Sequence, residues 1–180
     1  MILALCCMTM MLATANAESA PQHPPRVVDD LQLSRYVGRW YEIAHIPNRF
    51  QSKCASNTTA EYTLQEDGRI EVINRCRKEN GKIMEARGIA RIASGGNPAR
   101  LEVSFVSILG KQLFWGDYWV IGLDADYEWA IVGHPQRKYG WILARQPSLD
   151  DATLARIVAR LKEAGYDPRD FEFTKQDALR

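Results

Sequence analysis

The amino-acid sequence predicts an all-β fold, an eight-stranded antiparallel up-and-down barrel with one C-terminal α-helix packed outside. Three observations predict it. Apolar and polar residues alternate one by one through most of residues 38–146, turns containing glycine or asparagine interrupt the alternation at short intervals, and a helical period surfaces only once, after residue 148. Consecutive hairpins favour a meander, and closing the meander into a barrel removes the edges an open sheet would leave exposed.

The first strand opens at Gly38 and sets Trp40, Glu42 and Ala44 on one face. The second sets Thr58, Ala60, Tyr62 and Leu64 against Thr59, Glu61, Thr63 and Gln65, the pattern of a half-buried strand. A turn at Glu66-Asp67-Gly68-Arg69 leads into the third, where Ile70, Val72 and Asn74 alternate with Glu71, Ile73 and Arg75. After Lys78-Glu79-Asn80-Gly81, the fourth carries Met84, Ala86, Gly88, Ala90 and Ile92 on one face, and Ser94-Gly95-Gly96-Asn97-Pro98 breaks the chain before Leu101, Val103 and Phe105. Residues 117–124, 127–134 and 138–146 complete the eight. The helix is expected to take Ser148 as its cap, with Asp150 and Asp151 in the first turn, where the helix dipole favours negative charge. Leu149, Leu154, Ile157, Val158 and Leu161 form its apolar stripe and Gly165 stops it, after which Phe171-Glu172-Phe173 is expected to add a short strand.

The chain has 180 residues, 46% hydrophobic and 25% charged, as a single globular domain requires. Lys and Arg number 23 against 22 acidic residues, so no basic field exists to hold a phosphate backbone, and no nucleic-acid partner is expected. Residues 1–17 read as a secretory signal: an apolar run followed by Ala13-Thr14-Ala15-Asn16-Ala17. Residues 18–28, rich in proline, read as a flexible arm, and 29–180 as the domain. Export to the periplasm follows. Cys6 and Cys7 raise the alternative of a lipidated, outer-membrane-associated form, but Leu5 stands where a small residue would precede an acylated cysteine. Cys54 and Cys76 remain in the mature chain, and in an exported protein an even count suggests one disulfide, worth roughly 3 kcal/mol by the entropy of the loop it closes.

Gly38-Arg39-Trp40-Tyr41 resembles the lipocalin first-strand motif Gly-x-Trp-Tyr, with a short helical turn over residues 31–36 before it. Trp141-Ile142-Leu143-Ala144-Arg145 resembles the last lipocalin barrel strand, whose arginine packs over the tryptophan of the first. A guanidinium over an indole is a firm plug for the closed end of a barrel, worth on the order of 1–2 kcal/mol when partly desolvated. Between these motifs the chain is similar to the bacterial Blc-type lipocalins and their apolipoprotein D-like relatives, through Arg49-Phe50, Ala60-Glu61-Tyr62-Thr63-Leu64, Val103-Ser104-Phe105 and Val120-Ile121-Gly122-Leu123-Asp124. The second lipocalin motif, Thr-Asp-Tyr, is matched only loosely by Asp124-Ala125-Asp126-Tyr127. The resemblance assigns structural roles to Gly38, Trp40, Asp124, Tyr127 and Arg145.

What the resemblance implies is a non-enzymatic carrier of a small apolar ligand, a fatty acid or lysophospholipid, in the service of membrane maintenance. The residues allow it independently: Tyr62, Leu64, Val72, Met84, Ala86, Ala90, Val103, Phe105, Trp141 and Leu143 share the inward face and would line a dry cavity. Burying an acyl chain there contributes about 0.8 kcal/mol per methylene. The alternatives are a barrel packed solid by the same side chains and serving as a docking protein, and a cavity enzyme of the prostaglandin-synthase type, which would need a free thiol. Glu42 is expected as an inward carboxylate held by a hydrogen bond near the barrel floor. His45 is expected to face outward, His134 to lie in a turn and His23 in the arm, so no haem, other cofactor or metal is expected. The apolar connection Ile108 to Trp115 is expected at the open mouth, as a contact for a bilayer or second subunit, or as a lid. Monomer and homodimer both remain open.

Overall fold

In the computed structural model, which describes residues 23–177, a short helix α1 (Leu33–Tyr36) precedes strands β1 (Gly38–His45), β2 (Ser56–Leu64), β3 (Ile70–Arg77), β4 (Ile83–Ile92) and β5 (Arg100–Ser104). A hairpin of β6 (Val106–Ile108) and β7 (Lys111–Leu113) follows, then β8 (Gly116–Leu123), β9 (Trp129–Gly133), β10 (Gly140–Ala144), helix α2 (Asp151–Glu163) and β11 (Glu172–Phe173). Each barrel strand pairs antiparallel with the next, β5 passes directly to β8, and β10 returns to β1, with Tyr41 opposite Ala144 and His45 opposite Trp141. The sheet is therefore a closed barrel of the eight expected strands. The expected signal segment, residues 1–17, and its two cysteines lie outside the described residues.

The barrel has two unlike ends. Helix α1 and the turns after β2, β4 and β8 gather at one, while the long β1–β2 connection, the β6–β7 hairpin and the β9–β10 turn surround the other. A disulfide between Cys54 and Cys76, with Cα atoms 5.6 Å apart, ties the β1–β2 connection to β3 beside the mouth.

Two bulges shape the mouth wall. The register of β1 against β10 slips between Glu42 and Ala44, and that of β2 against β3 slips between Ser56 and Thr59, where Asn57 adopts φ 55°. An extra residue in one strand reverses the side-chain parity beyond it. Consequently Glu42, opposite Leu143, and His45, opposite Trp141, face the same side of the sheet, and the expected outward placement of His45 is corrected. Between the bulges β1 and β2 no longer pair, and the C-terminal tail enters the gap. Strand β11 pairs with Ala44 and His45, Thr174 N–H donates to Ile43 O, Asn57 N–H donates to Lys175 O, and the Gln176 amide donates to both Glu42 O (2.8 Å) and Thr58 O (2.9 Å).

Helix α2 lies outside the barrel, as expected, burying Ile157 and Leu161 against it. Its cap is Asp150, not Ser148: the Asp150 carboxylate accepts from Thr153 N (2.8 Å) and Thr153 Oγ1 (2.9 Å), satisfying an orphan donor of the first turn better than a hydroxyl two residues upstream could. Gly165, at φ 76°, ends the helix where a left-handed residue is needed. The end of the expected arm is not loose. Val27 is buried, Val28 N–H donates to Val120 O, and Arg137 donates to His23 O, so residues 23–28 run pinned along the barrel.

Candidate functional site: the barrel cavity

The closed end is plugged by Trp40, which is fully buried, with the Arg145 guanidinium 3.7 Å over its ring. Arg145 spends its hydrogens on backbone carbonyls: Nη1 donates to Arg39 O, Nη2 to the carbonyls of Arg35, Tyr36 and Val37, and Nε to Tyr127 O. A planar five-donor fork suits this fan of acceptors, which an ammonium could not span. Gly38, at φ 94°, turns the chain beside Nη1. Asp124 builds the loop that delivers Tyr127, its carboxylate accepting from Asp126 N and its carbonyl from Tyr127 N. Tyr127 Oη then accepts from Gln32 N (2.9 Å) and its ring lies under Arg35.

Above the plug the barrel encloses a cavity of about 650 Å³. This is in the range of small-molecule sites, so the barrel is not packed solid. Of the residues expected on its wall, Tyr62, Val72, Met84, Ala86, Ala90, Val103, Phe105, Trp141 and Leu143 line it. Leu64 does not: it ends β2 at the closed-end turn, below the cavity, and is 43% exposed. Gly88 adds little room, because the Phe105 ring occupies the place a side chain would take, 2.7 Å from where its Cβ would stand.

The wall carries polar features that alternation alone does not reveal. At the closed end Tyr36 from α1, Tyr62 from β2 and Tyr118 from β8 bring their hydroxyls together, Tyr118 Oη lying 2.8 Å from Tyr36 Oη and 3.0 Å from Tyr62 Oη. Burial pushes all three phenols up, Tyr62 to about 12, so they are neutral across the physiological range. Tyr118 was legible in principle, since it pairs with Leu101 and shares its inward face; Tyr36, on a one-turn helix, carried no periodic signal.

Nearer the mouth, Glu42 is buried and fully partnered. Oε2 accepts from Gln51 Nε2 (2.6 Å), Oε1 accepts from Thr174 Oγ1 (2.6 Å), and His45 Nδ1 lies 3.1 Å from Oε1. Its partners thus come from the mouth loop and the C-terminal tail, not from the barrel floor. The Glu42 hydrogen bond holds the His45 pKa above its ordinary value against the opposing effect of burial. Gln51 also accepts from Trp141 Nε1 (2.8 Å), so one loop side chain fixes both a carboxylate and an indole of the wall. Trp141 stacks with Tyr139, which meets Phe50 and His134, and these rings rim the opening. Burial lowers the His134 pKa, only partly opposed by Asp117. Across the mouth the β6–β7 hairpin, anchored by Ser104 Oγ donating to Leu113 O, exposes Ile108, Phe114 and almost all of Leu109 (98%).

A lipocalin-like domain model matches residues 31–176, nearly all of the barrel, the helix and the tail that completes it. The chain belongs to the lipocalin family. This lipocalin is 42% identical over 144 residues to temperature-induced lipocalin-1 of Arabidopsis thaliana, covering 78% of this chain and 77% of that protein. It is 34% identical over 166 residues to the outer membrane lipoprotein Blc of Escherichia coli, covering 92% of this chain and 90% of that protein, and is of the Blc type. Among solved structures, insecticyanin of the tobacco hornworm Manduca sexta superposes with a TM-score of 0.69 at 25% identity, over 89% of this chain and 87% of that one. The plug of Trp40 and Arg145 and the cavity above it are thus the two parts of a lipocalin barrel: a sealed base and an open, loop-rimmed mouth.

Proposed function

We propose that this lipocalin carries or stores a fatty acid or lysophospholipid inside its barrel and serves membrane maintenance. The observation that carries the reading is the cavity of about 650 Å³ with a wall dominated by aliphatic and aromatic side chains, open at one end. Apolar burial supplies the affinity, because each methylene removed from water contributes about 0.8 kcal/mol, and the closed Trp40 plug leaves the mouth as the route of entry. The match to Blc, an outer membrane lipoprotein, supports an exported protein of the cell envelope, working in the periplasm or at the outer membrane. The catalytic alternative that relies on a cavity thiol finds Cys54 and Cys76 joined to each other.

Exposed Leu109 and Phe114 stand at the edge of the opening, where an apolar tip would meet a bilayer during transfer. A monomer with this surface would dock transiently; a homodimer would cover it. Native mass spectrometry of protein purified from the periplasm, followed by solvent extraction, tests the carrier reading. One fatty acid or lysophospholipid per chain is the expected result, and a protein that arrives empty and takes up no added lysophospholipid would refute it.

A further inference from the structure

The tyrosine cluster at the cavity floor holds more donors than its own hydrogen bonds use. Each phenol contributes one hydrogen, and each hydrogen bond consumes one. Tyr36, Tyr62 and Tyr118 make two hydroxyl contacts between them and no other side-chain hydrogen bond among the described residues. Whichever way the donors turn, one O–H is left over, and all three side chains line the cavity. A buried donor left unpaired costs about 1–3 kcal/mol, so an acceptor brought to this point is favoured by recovering that penalty.

The surroundings decide what kind of acceptor fits. Val72, directly opposite Tyr62, and Leu101, directly opposite Tyr118, flank the cluster in register, and both are buried. The nearby cation offers nothing to a ligand, because Arg145 gives its hydrogens to five backbone carbonyls on the far side of Trp40. One remaining hydrogen cannot offset the desolvation of a carboxylate. A neutral oxygen can accept it without that cost.

We propose that the floor formed by Tyr36, Tyr62 and Tyr118 is a binding subsite for a neutral acceptor oxygen, such as a ketone or ester carbonyl, carried at the buried end of the ligand. The inference rests on the carrier reading and narrows it: the preferred cargo is an amphiphile whose charged end stays at the mouth and whose deep end is oxygenated, not a plain hydrocarbon tail.

The test uses displacement of a fluorescent fatty acid from the full-length mature protein by three chains of equal length. These are hexadecanoic acid, the same acid with a ketone next to its methyl end, and the same acid with a ketone at mid-chain. The two ketones are equally polar, so only position separates them. The terminal ketone is expected to bind about tenfold more tightly than the mid-chain ketone, the value of one recovered hydrogen bond. In the triple variant Tyr36→Phe, Tyr62→Phe, Tyr118→Phe that preference vanishes, whereas Tyr118→Phe alone retains it, since two hydroxyl hydrogens then stand free. Equal binding of the two ketones by the unaltered protein, as when a resident water already accepts the hydrogen, overturns the subsite while leaving uptake of hexadecanoic acid, and with it the carrier reading, intact. Failure to take up any of the three overturns the subsite together with the fatty-acid form of the carrier reading, and the lysophospholipid form is then decided by the extraction and uptake experiment above. Should the triple variant not fold, the comparison in the unaltered protein decides alone.

Discussion

Glu42 illustrates what keeping one carboxylate inside an apolar barrel requires. It is 3% exposed, and both of its oxygens are engaged, by Gln51 on one side and by Thr174 and His45 on the other. An unpartnered charge there would cost several kcal/mol. His45 gains from the arrangement, since its pKa in the folded chain is raised, first by the hydrogen bond to Glu42. The folded state therefore binds that proton more tightly than the unfolded state. The resulting stability is fully present below the ordinary histidine value of about 6.5 and is lost as pH rises through the raised value. His134, lowered by burial, works the other way and penalises the fold in acid, so the informative comparison is variant against parent at each pH. His45→Gln is expected to lower the melting temperature more at about pH 5.5 than at about pH 8.5. Equal losses at both would mean that the imidazole carries no extra proton in the fold.

The element that the mouth wall depends on is the C-terminal tail. Two bulges, at Glu42–Ala44 and at Ser56–Thr59, pull β1 and β2 apart and would leave backbone groups of both strands bare inside the barrel wall. Residues 172–177 fill the opening as a ninth, partial strand, and the Gln176 amide bridges Glu42 O and Thr58 O much as a ladder hydrogen-bond pair would. Removal of residues 174–180 is expected to destabilise the protein by about 2–4 kcal/mol in urea unfolding, because it frees a buried carboxylate oxygen and several buried carbonyls together. Gln176→Ala alone should cost nearer 1 kcal/mol. A truncated chain with the parent's unfolding midpoint would show that the strands close without the tail.

At the scale of the whole molecule, stability and capacity are separable. The closed barrel carries the hydrophobic core on both faces of its sheet, the outer one under α2, whereas the Cys54–Cys76 bond acts only on the mouth side. That bond closes a loop with a sequence separation of 22, worth roughly 3 kcal/mol in the chain-entropy account. The double variant Cys54→Ser, Cys76→Ser is expected to unfold at correspondingly lower urea, with its ligand stoichiometry by native mass spectrometry unchanged. Loss of ligand in the folded variant would instead make the mouth loop part of the binding surface.

Strand alternation and turn chemistry determined by themselves the eight strands, their order, the outer helix and most of the cavity wall, since cross-strand burial writes a two-residue period into each segment and each hairpin is a local event. The placement of Trp40 beneath Arg145 came from the resemblance to the lipocalin motifs that open β1 and close β10, not from the two-residue period. Only the tertiary structure decided where that period slips. The bulge after Glu42 turns His45 inward, and nothing in Ile43 or Ala44 marks it, because a bulge is set by the strands and tail on either side. Tyr36 joins the cavity floor from a single helical turn, and Gln51 reaches Glu42 and Trp141 from a loop, so neither carries a period to read. The polar fittings of the site come from segments distant in sequence, and their chemistry exists only once the barrel has closed.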